Sequence, residues 1–218
     1  MSRTKIGVLI SGRGSNLQAL IAACANPDFP AEIALVVSNK PDAGGLEYAA
    51  EAGIETTVIE HDGYHDRESF DREIDVTLKA AEIELVCLAG FMRLLSGWFV
   101  ETWRDRVLNI HPSLLPAFKG IDAHDQAIAA GVRISGCTVH IVRPEMDTGP
   151  VLVQAAVPVM PDDNKTSLAA RILEAEHRCY PHAVRLLAEG RIEIVGERAV
   201  LNTDTTAPSA LIHPATDG

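Results

Sequence analysis

Apolar runs alternate with stretches of helical spacing along the first half of the chain. The runs are rich in Val, Ile and Leu, as buried strands are, and the stretches between them place apolar residues on one helical face. The predicted strands cover residues 5–11, 31–38, 56–59, 85–89 and 106–110. The predicted helices between them cover residues 17–25, 45–52, 67–82 and 96–102.

This alternation predicts an α/β fold, a Rossmann-like, mostly parallel mixed sheet with helices on both faces. The runs IGVLI and LVCLAG contain no charged residue, which is typical of strands buried on both sides. Beyond residue 122 the order changes to a helix (123–131) and two strands (136–142 and 151–159). The connection over residues 143–150 is too short for a parallel crossover, so these two strands are expected to be antiparallel.

The last part of the chain is predicted to be a long helix followed by weaker elements. The helix covers about residues 165–189, with Asp163 or Asn164 as its cap and Gly190 at its end. Residues 192–201 can add a marginal hairpin. We expect residues 1–201 to form a single domain and residues 202–218 to form a flexible C-terminal tail.

The composition is that of a globular protein, with 47% hydrophobic and 22% charged residues in a chain of 218. No apolar run approaches the roughly 18 residues of a membrane span, and the N-terminus lacks a secretory signal pattern. These features predict a cytoplasmic protein. The formal net charge of −11 argues against general binding of nucleic acid or anionic membranes. A phosphate group must therefore be bound locally, at a loop or a helix end.

Neither the cysteines nor the histidines predict a metal site. No C-x-x-C pair is present, so we expect the cysteines to be reduced apolar residues. Residues 61–66, HDGYHD, offer nitrogen and oxygen ligands but lack a helical frame that would aim them at one ion. The four cysteines are Cys24, Cys87, Cys137 and Cys179.

The first predicted strand runs into SGRGSN, a glycine turn that opens a helix. The backbone N–H groups of Gly14, Ser15 and Asn16, with the helix dipole behind them, can hold a phosphate. A dinucleotide fingerprint would have a third glycine in place of Leu17 and an acidic residue after the second strand, where residues 38–40 read SNK. We therefore predict a monophosphate site. The alternative is a structural turn with Ser15 as the helix cap.

A further segment follows a strand at the edge where α/β sheets bind ligands, and one acidic residue of the long helix is a weaker candidate. Residues 90–95, GFMRLL, carry aromatic and thioether groups that suit a flat apolar ring. The alternative there is core packing by Phe91, Met92 and Leu94. Glu176, on the long helix, can meet an ammonium or hydroxyl group of a substrate, although a solvated helix face is the default for such a residue.

The segment NIHPSLLP sets an amide and an imidazole two residues apart at the end of a strand. Residues i and i+2 of a strand share a face, so Asn109 and His111 project together and can stabilise an oxyanion. Asp147, on the loop between the late strands, can fold back to orient His111 and favour its protonated form. The alternatives are a core histidine and a plain turn aspartate. Ser113 lies in no G-x-S-x-G elbow, so a serine hydrolase is not predicted.

Taken together, ISGRGSNLQAL, AGFMRLLS, LNIHPSLLPAFKG, GCTVHIV and MDTGPVLVQ resemble the phosphoribosylglycinamide formyltransferases over residues 5–193. The resemblance implies the Rossmann-like formyltransferase fold, the substrates glycinamide ribonucleotide and 10-formyltetrahydrofolate, and a place in purine biosynthesis. It implies the catalytic residues Asn109, His111 and Asp147. The implied ribonucleotide site is Gly14, Ser15, Asn16 and Glu176. The implied folate site is Arg67, Met92, Arg93, Leu94, Leu95 and Asn109.

The implied mechanism needs no metal. The glycinamide amine attacks the formyl carbon, and Asn109 with protonated His111 stabilises the oxyanion while Asp147 orients and charges the imidazole. The rivals are another formyl-folate enzyme, such as formyltetrahydrofolate hydrolase or methionyl-tRNA formyltransferase, and a non-catalytic nucleotide-binding module. The first predicted strand begins at Lys5 and little follows Leu201, which disfavours the extra domains of the first two. The expected partners are these two small molecules, with neither nucleic acid nor membrane, and a homodimer is left open.

Overall fold

A computed structural model describes residues 3–202 and His213. The tail predicted over residues 202–218 therefore lies outside the described residues, apart from Asn202 and His213. The strands are β1 (Thr4–Ile10), β2 (Ala31–Ser38), β3 (Thr56–Val58), β4 (Leu85–Leu88), β5 (Val107–His111), β6 (Ile134–Ile141), β7 (Val151–Pro158), β8 (Ile192–Val195) and β9 (Arg198–Leu201). The α-helices are α1 (Ser15–Cys24), α2 (Gly45–Glu51), α3 (Arg67–Ala80), α4 (Gly97–Thr102), α5 (Ala123–Ala129) and α6 (Lys165–Ala188).

The main sheet has seven strands in the order β3-β2-β1-β4-β5-β6-β7. The first five strands along the chain pair in parallel, and β6 and β7 pair antiparallel. The predicted mixed, mostly parallel sheet is confirmed, including the antiparallel pair. Because β2 and β4 lie on opposite sides of β1, the chain reverses its direction of winding at β1 and β4. Open α/β sheets bind ligands beyond the carboxyl ends of the strands at such a switch point.

Two apolar layers explain why the central strands have no polar face. Ile6, Val8 and Ile10 of β1 belong to a core cluster that also contains residues of α1 and α6. Leu9 of β1 belongs to a second cluster, which contains Phe70 of α3 and residues of α4. Successive strand residues point to opposite faces, so a strand covered on both sides is apolar at every position.

The ends of the elements follow local capping chemistry. The α6 helix begins after Asn164, whose side chain accepts from the N–H groups of Thr166 and Ser167. It ends at Ala188, and Gly190 takes a left-handed φ of 65°, so the predicted stop there is confirmed. The marginal hairpin is also confirmed as β8 and β9. A one-turn 3₁₀ helix, His61–Gly63, was not predicted.

The remaining bounds shift by a residue or two. Helix α3 ends at Ala80, where residue 82 was predicted, and Ser96 caps α4 with its side chain instead of lying inside it. Strand β5 extends to His111, so Asn109 and His111, the two residues predicted to stabilise an oxyanion, both lie in regular strand. Within residues 3–202, no helix is long and apolar enough to cross a membrane.

Candidate active site

The loop after β1 has the geometry of an anion-binding turn. Gly14 is the N-cap of α1 in a left-handed conformation, φ 77°, and no side chain caps the helix. The first N–H groups of α1 are thus free to meet an anion. Ser15 is the first residue of the helix and not its cap, so the alternative of a Ser15-capped turn is wrong. A Cβ at Gly14 would lie 2.5 Å from the Cα of Gly45, so Gly14 is also required by packing.

Glu176 of α6 contacts Asn16 in the first turn of α1. Its Oε2 accepts from Nδ2 of Asn16 at 2.8 Å, while Oδ1 of Asn16 is buried without a partner. Glu176 is buried, which corrects the default expectation of a solvated helix face. Burial raises the pKa of its carboxyl, and the Asn16 hydrogen bond opposes that rise. The structure therefore brings together two of the residues predicted to hold the ribonucleotide.

Ser11 and Asn39 connect the loop after β1 with the loop after β4, which is predicted to bind a flat ring. The Ser11 hydroxyl donates to Oδ1 of Asn39 at 2.6 Å and accepts from the backbone N–H of Met92 at 2.8 Å. The backbone N–H of Ser11 also donates to the Gly90 carbonyl. Neither side chain was predicted to be functional. The sequence shows a serine and an asparagine at strand ends, but it does not show which strands lie side by side.

The segment of residues 91–95, at the switch point, has two side chains exposed to solvent. Met92 and Leu94 are 77% and 54% exposed, so the alternative of core packing is wrong for these two. Phe91 and Leu95 pack partly against the second core cluster. Two apolar side chains left exposed beside strand ends fit the prediction of a surface for a flat ring.

Asp71 of α3 connects the two arginines predicted to meet the folate. It is buried, its Oδ2 accepts from the backbone N–H of Ser96 at 2.5 Å, and both Arg67 and Arg93 act on it electrostatically. Burial raises the pKa of the Asp71 carboxyl, while the Ser96 hydrogen bond and the arginines lower it. The Arg93 guanidinium lies 5.3 Å from the Phe70 ring centroid, and its Nε is buried without a partner. Sequence reasoning did not single out Asp71.

The Asn109 amide is held by a histidine from the neighbouring strand. Asn109 pairs with His140 in the β5–β6 ladder, and Nδ2 of the amide lies 3.3 Å from Nε2 of the ring. His140 Nδ1 lies 3.0 Å and 3.1 Å from the carbonyls of Ile141 and Thr148, so this nitrogen carries the proton. Nε2 is then an acceptor, and the amide donates to it. His140 had not been assigned a role.

His111 and Asp147 meet as expected. The imidazole Nδ1 lies 3.5 Å from Oδ2 of Asp147, and the two side chains are 7% and 9% exposed. This distance exceeds the roughly 2.7–2.9 Å of a charge-assisted hydrogen bond, so the two groups are close to each other without a direct hydrogen bond. Oδ2 of Asp147 accepts from the Gly120 N–H at 2.7 Å, and Nε2 of His111 lies 2.9 Å from the Phe118 carbonyl. Both ring nitrogens therefore face oxygen atoms.

The cysteines and the HDGYHD segment take no part in this arrangement. Cys87, Cys137 and Cys179 are buried and free, and burial raises the pKa of the Cys24 thiol to about 11. The His61 ring contacts Asn39 and Asp62. Over residues 3–202 and His213, no three His, Cys, Asp or Glu side chains are grouped so that they could hold a metal ion.

An amide, an imidazole beside a carboxylate, and an exposed apolar loop thus follow neighbouring strands at the edge of the sheet where the glycine turn after β1 lies. An amide and an imidazole placed in this way can stabilise an oxyanion. The formyl transferase family model matches residues 4–184. The chain belongs to the formyl transferase family. The resemblance seen in the sequence is therefore confirmed.

Relatives and solved structures agree on this family. Phosphoribosylglycinamide formyltransferase of Escherichia coli (strain K12) is 43% identical over 203 residues, 93% of this chain and 96% of that protein. Trifunctional purine biosynthetic protein adenosine-3 is 51% identical over 193 residues in Gallus gallus, where this chain spans only 19% of its length. The crystal structure of glycinamide ribonucleotide transformylase 1 from Symbiobacterium toebii matches with a TM-score of 0.89 at 47% identity, covering 91% and 94% of the two chains.

A formyltetrahydrofolate deformylase from Pseudomonas syringae pv. tomato also matches, with a TM-score of 0.85 at 24% identity, and this chain covers 66% of it. At that identity the likeness shows a common fold alone. A fold does not determine an activity, so the activity of this chain must be argued from the residues of its site.

Proposed function

We propose that this chain is a phosphoribosylglycinamide formyltransferase, which transfers a formyl group from 10-formyltetrahydrofolate to the amine of glycinamide ribonucleotide in purine biosynthesis. The observation that carries the proposal is the meeting of Asn109, His111 and Asp147 at the end of β5, with His111 Nδ1 3.5 Å from the Asp147 carboxylate. The E. coli protein of that name, 43% identical over nearly its whole length, supports it. The predicted cytoplasmic location stays a prediction.

In the proposed reaction, the amine nitrogen attacks the formyl carbon and a tetrahedral oxyanion forms. One N–H of the Asn109 amide is bonded to His140, and the other is available to the oxyanion. The Nε2 N–H of a protonated His111 exchanges the Phe118 carbonyl for the oxyanion, which is the stronger acceptor. Asp147 keeps the imidazole oriented and balances its charge.

Collapse of the intermediate breaks the bond between the formyl carbon and the folate nitrogen. The amine proton must reach that nitrogen for the leaving group to depart neutral, and a water molecule can relay it. The step needs neither a metal nor an oxidant, because preorganised hydrogen bonds stabilise the charge that develops. The chemistry is therefore complete with two substrates and the side chains of the site.

The two substrates are assigned to different sides of the site. The N–H groups of Gly14, Ser15 and Asn16 would bind the ribonucleotide phosphate, and Glu176 its ribose or glycinamide end. The folate would lie against Met92, Arg93, Leu94 and Leu95, with Arg67 near its acidic end and Asn109 next to the formyl group. The exposed Met92 and Leu94 and the pairing of Asn16 with Glu176 support this division.

An assay with 10-formyltetrahydrofolate, with and without glycinamide ribonucleotide, tests the proposal. We expect folate product to form only when the ribonucleotide is present, in equal amount to formylated ribonucleotide, and to be unaffected by a chelator. Product formation without the ribonucleotide would identify the hydrolase. Binding of ribonucleotide without any turnover would identify a nucleotide-binding module, and loss of activity in chelator would contradict the metal-free mechanism.

A further inference from the structure

The loop over residues 142–150 folds back across the sheet to bring Asp147 to His111. In the ladder between β5 and β6, Leu108 pairs with Ile141 and His111 pairs with Thr138. The loop therefore leaves the sheet near the amino end of β5, while Asp147 contacts a side chain at its carboxyl end. Asp147 also takes a left-handed φ of 51°. A loop with this path can hold a carboxylate in place only if its base is fixed.

Arg143 forms that base. Its side chain is only 7% exposed, and its guanidinium is held on two sides: Nη2 donates to Oδ1 of Asp105 at 2.7 Å, and Nε donates to Oε2 of Glu197 at 2.7 Å. A buried guanidinium is stable only when its N–H groups are paired. Burial opposes the charged form, but the two carboxylates hold the pKa of Arg143 above its ordinary value. They therefore determine where this arginine lies.

The aliphatic stem of Arg143 supports the far end of the same loop. A Cβ at Gly149, where φ is 107°, would lie 2.9 Å from Cγ of Arg143 and 2.3 Å from the Ile141 carbonyl oxygen. The two ends of the loop are thus in close contact, with Asp147 between them. A displacement of Arg143 must move Gly149, and with it the residue two positions earlier.

Glu197 brings the C-terminal hairpin into this contact. It lies in the turn between β8 and β9, its side chain is 60% exposed, and its other carboxylate oxygen accepts from Arg104 at 3.0 Å. Asp105, the other partner of Arg143, directly precedes the residues that lead into β5. The guanidinium therefore ties the hairpin both to the strand that carries Asn109 and His111 and to the loop that carries Asp147.

We propose that Arg143 and Glu197 are positioning residues for Asp147, which makes the C-terminal hairpin a part of the active-site scaffold. The proposal rests on the role proposed for Asp147. Loosening the base of the loop displaces a group that acts only in the chemical step, so it lowers kcat and leaves substrate binding intact. A misplacement of about 1 Å at a reacting centre can cost up to roughly 10²-fold in rate.

Glu197→Ala and the milder Glu197→Gln test the proposal in the full chain. We expect kcat for formyl transfer to fall about tenfold in Glu197→Ala and less in Glu197→Gln, with the KM of both substrates within about twofold of the parent. Both variants should stay folded at the assay temperature, although the loss of one partner of the buried guanidinium lowers the thermal unfolding midpoint. Arg104→Ala is the matched control, because it removes the other partner of Glu197 and leaves Arg143 paired. It should keep the parent kcat.

A double-mutant cycle separates positioning of Asp147 from a general structural role. In an Asp147→Asn background, Glu197→Ala should cost no further activity, because the group it positions is already gone. Two results would overturn this proposal but not the role of Asp147. One is the same tenfold loss from Glu197→Ala in both backgrounds. The other is a parent-like kcat of Glu197→Ala when Asp147→Asn is impaired. A parent-like kcat of Asp147→Asn would instead overturn the role of Asp147, and this proposal with it.

Discussion

At the scale of single residues, a neutral histidine determines which way the Asn109 amide points. His140 donates through Nδ1 to two backbone carbonyls and accepts through Nε2 from the amide. Burial lowers the pKa of His140, and the surrounding carbonyls and Asp147 only partly oppose this. Protonation would turn Nε2 into a donor that faces the N–H donor of the amide. The amide would then lose the hydrogen bond to His140 that leaves its second N–H directed at an oxyanion.

Stability should therefore depend on the charge state of His140. The folded protein favours the neutral ring, whereas an unfolded histidine titrates near 6.5, so the unfolded chain binds more protons between the lowered pKa and about 6.5. The contribution of the neutral His140 ring to the free energy of unfolding is full above about pH 6.5 and is lost as the pH falls through that window. It amounts to about 1.4 kcal/mol for each tenfold difference in proton affinity between the unfolded and folded states.

Urea unfolding of the parent and of His140→Gln at pH 7.5 and pH 5 measures this contribution. The loss of stability on acidification should be smaller in the variant. His182→Gln, at an exposed position, should lose as much as the parent. An equal loss in parent and His140→Gln would show that His140 does not titrate on unfolding.

Asn16 and Glu176 make a second prediction at this scale. Asn16→Ala and Glu176→Gln should each raise the KM for glycinamide ribonucleotide by roughly tenfold, about the worth of one hydrogen bond to a charged group, and leave the KM for formyl-folate unchanged. Steady-state kinetics with each substrate varied in turn makes the measurement. An equal rise in the KM of both substrates would indicate that the contact between Asn16 and Glu176 only joins α1 to α6.

At the scale of elements, the loops after β1 and β4 form the site because their strands are neighbours at the switch point. The close approach of the phosphate loop to α2 adds a constraint, since Gly14 packs against Gly45. A substitution at Gly14 therefore alters the fold of the loop as well as its access to an anion. Its effect on ribonucleotide binding cannot be interpreted without a measurement of stability.

Gly14→Ala should destabilise the protein by about 2–5 kcal/mol. The left-handed backbone accounts for about 1–2 kcal/mol of this and overpacking against Gly45 for about 1–3 kcal/mol. Gly12→Ala is the matched control, because a Cβ there meets nothing within 4 Å. Chemical denaturation of the two variants provides the comparison. Similar stability of the two would contradict the packing role of Gly14.

Most helices and strands could be predicted from the spacing of apolar residues along the chain. Strand β4 and the central parts of β1 and β2 are apolar because both faces are covered, and that pattern is visible without knowing their neighbours. The contacts of Ser11 with Asn39 and of Asn109 with His140 depend on which strands lie side by side. Strand order is a property of the whole sheet, so a single sequence could name Asn109 and His111 on one face but not the histidine opposite them.

At the scale of the whole molecule, the site unites distant parts of a chain with a net charge of −11. Asn16 near the N-terminus meets Glu176 on the last long helix, and the loop of Asp147 rests on a guanidinium that the C-terminal hairpin holds. In the proposed function, local donors would therefore bind the anionic groups of the substrates, namely the N-terminus of α1 and the arginines near Asp71. The fold brings these donors together at one edge of the sheet.

The turnover number of His111→Ala in formyl transfer to glycinamide ribonucleotide tests the central claim most directly. The variant should fold as the parent does by circular dichroism and keep the KM of both substrates within a few-fold. Its kcat should fall by roughly 10²–10³, the cost of removing one donor to an oxyanion. A folded His111→Ala protein that turns over at the parent rate would contradict the account, because the group placed at the reacting carbonyl would then take no part in the reaction.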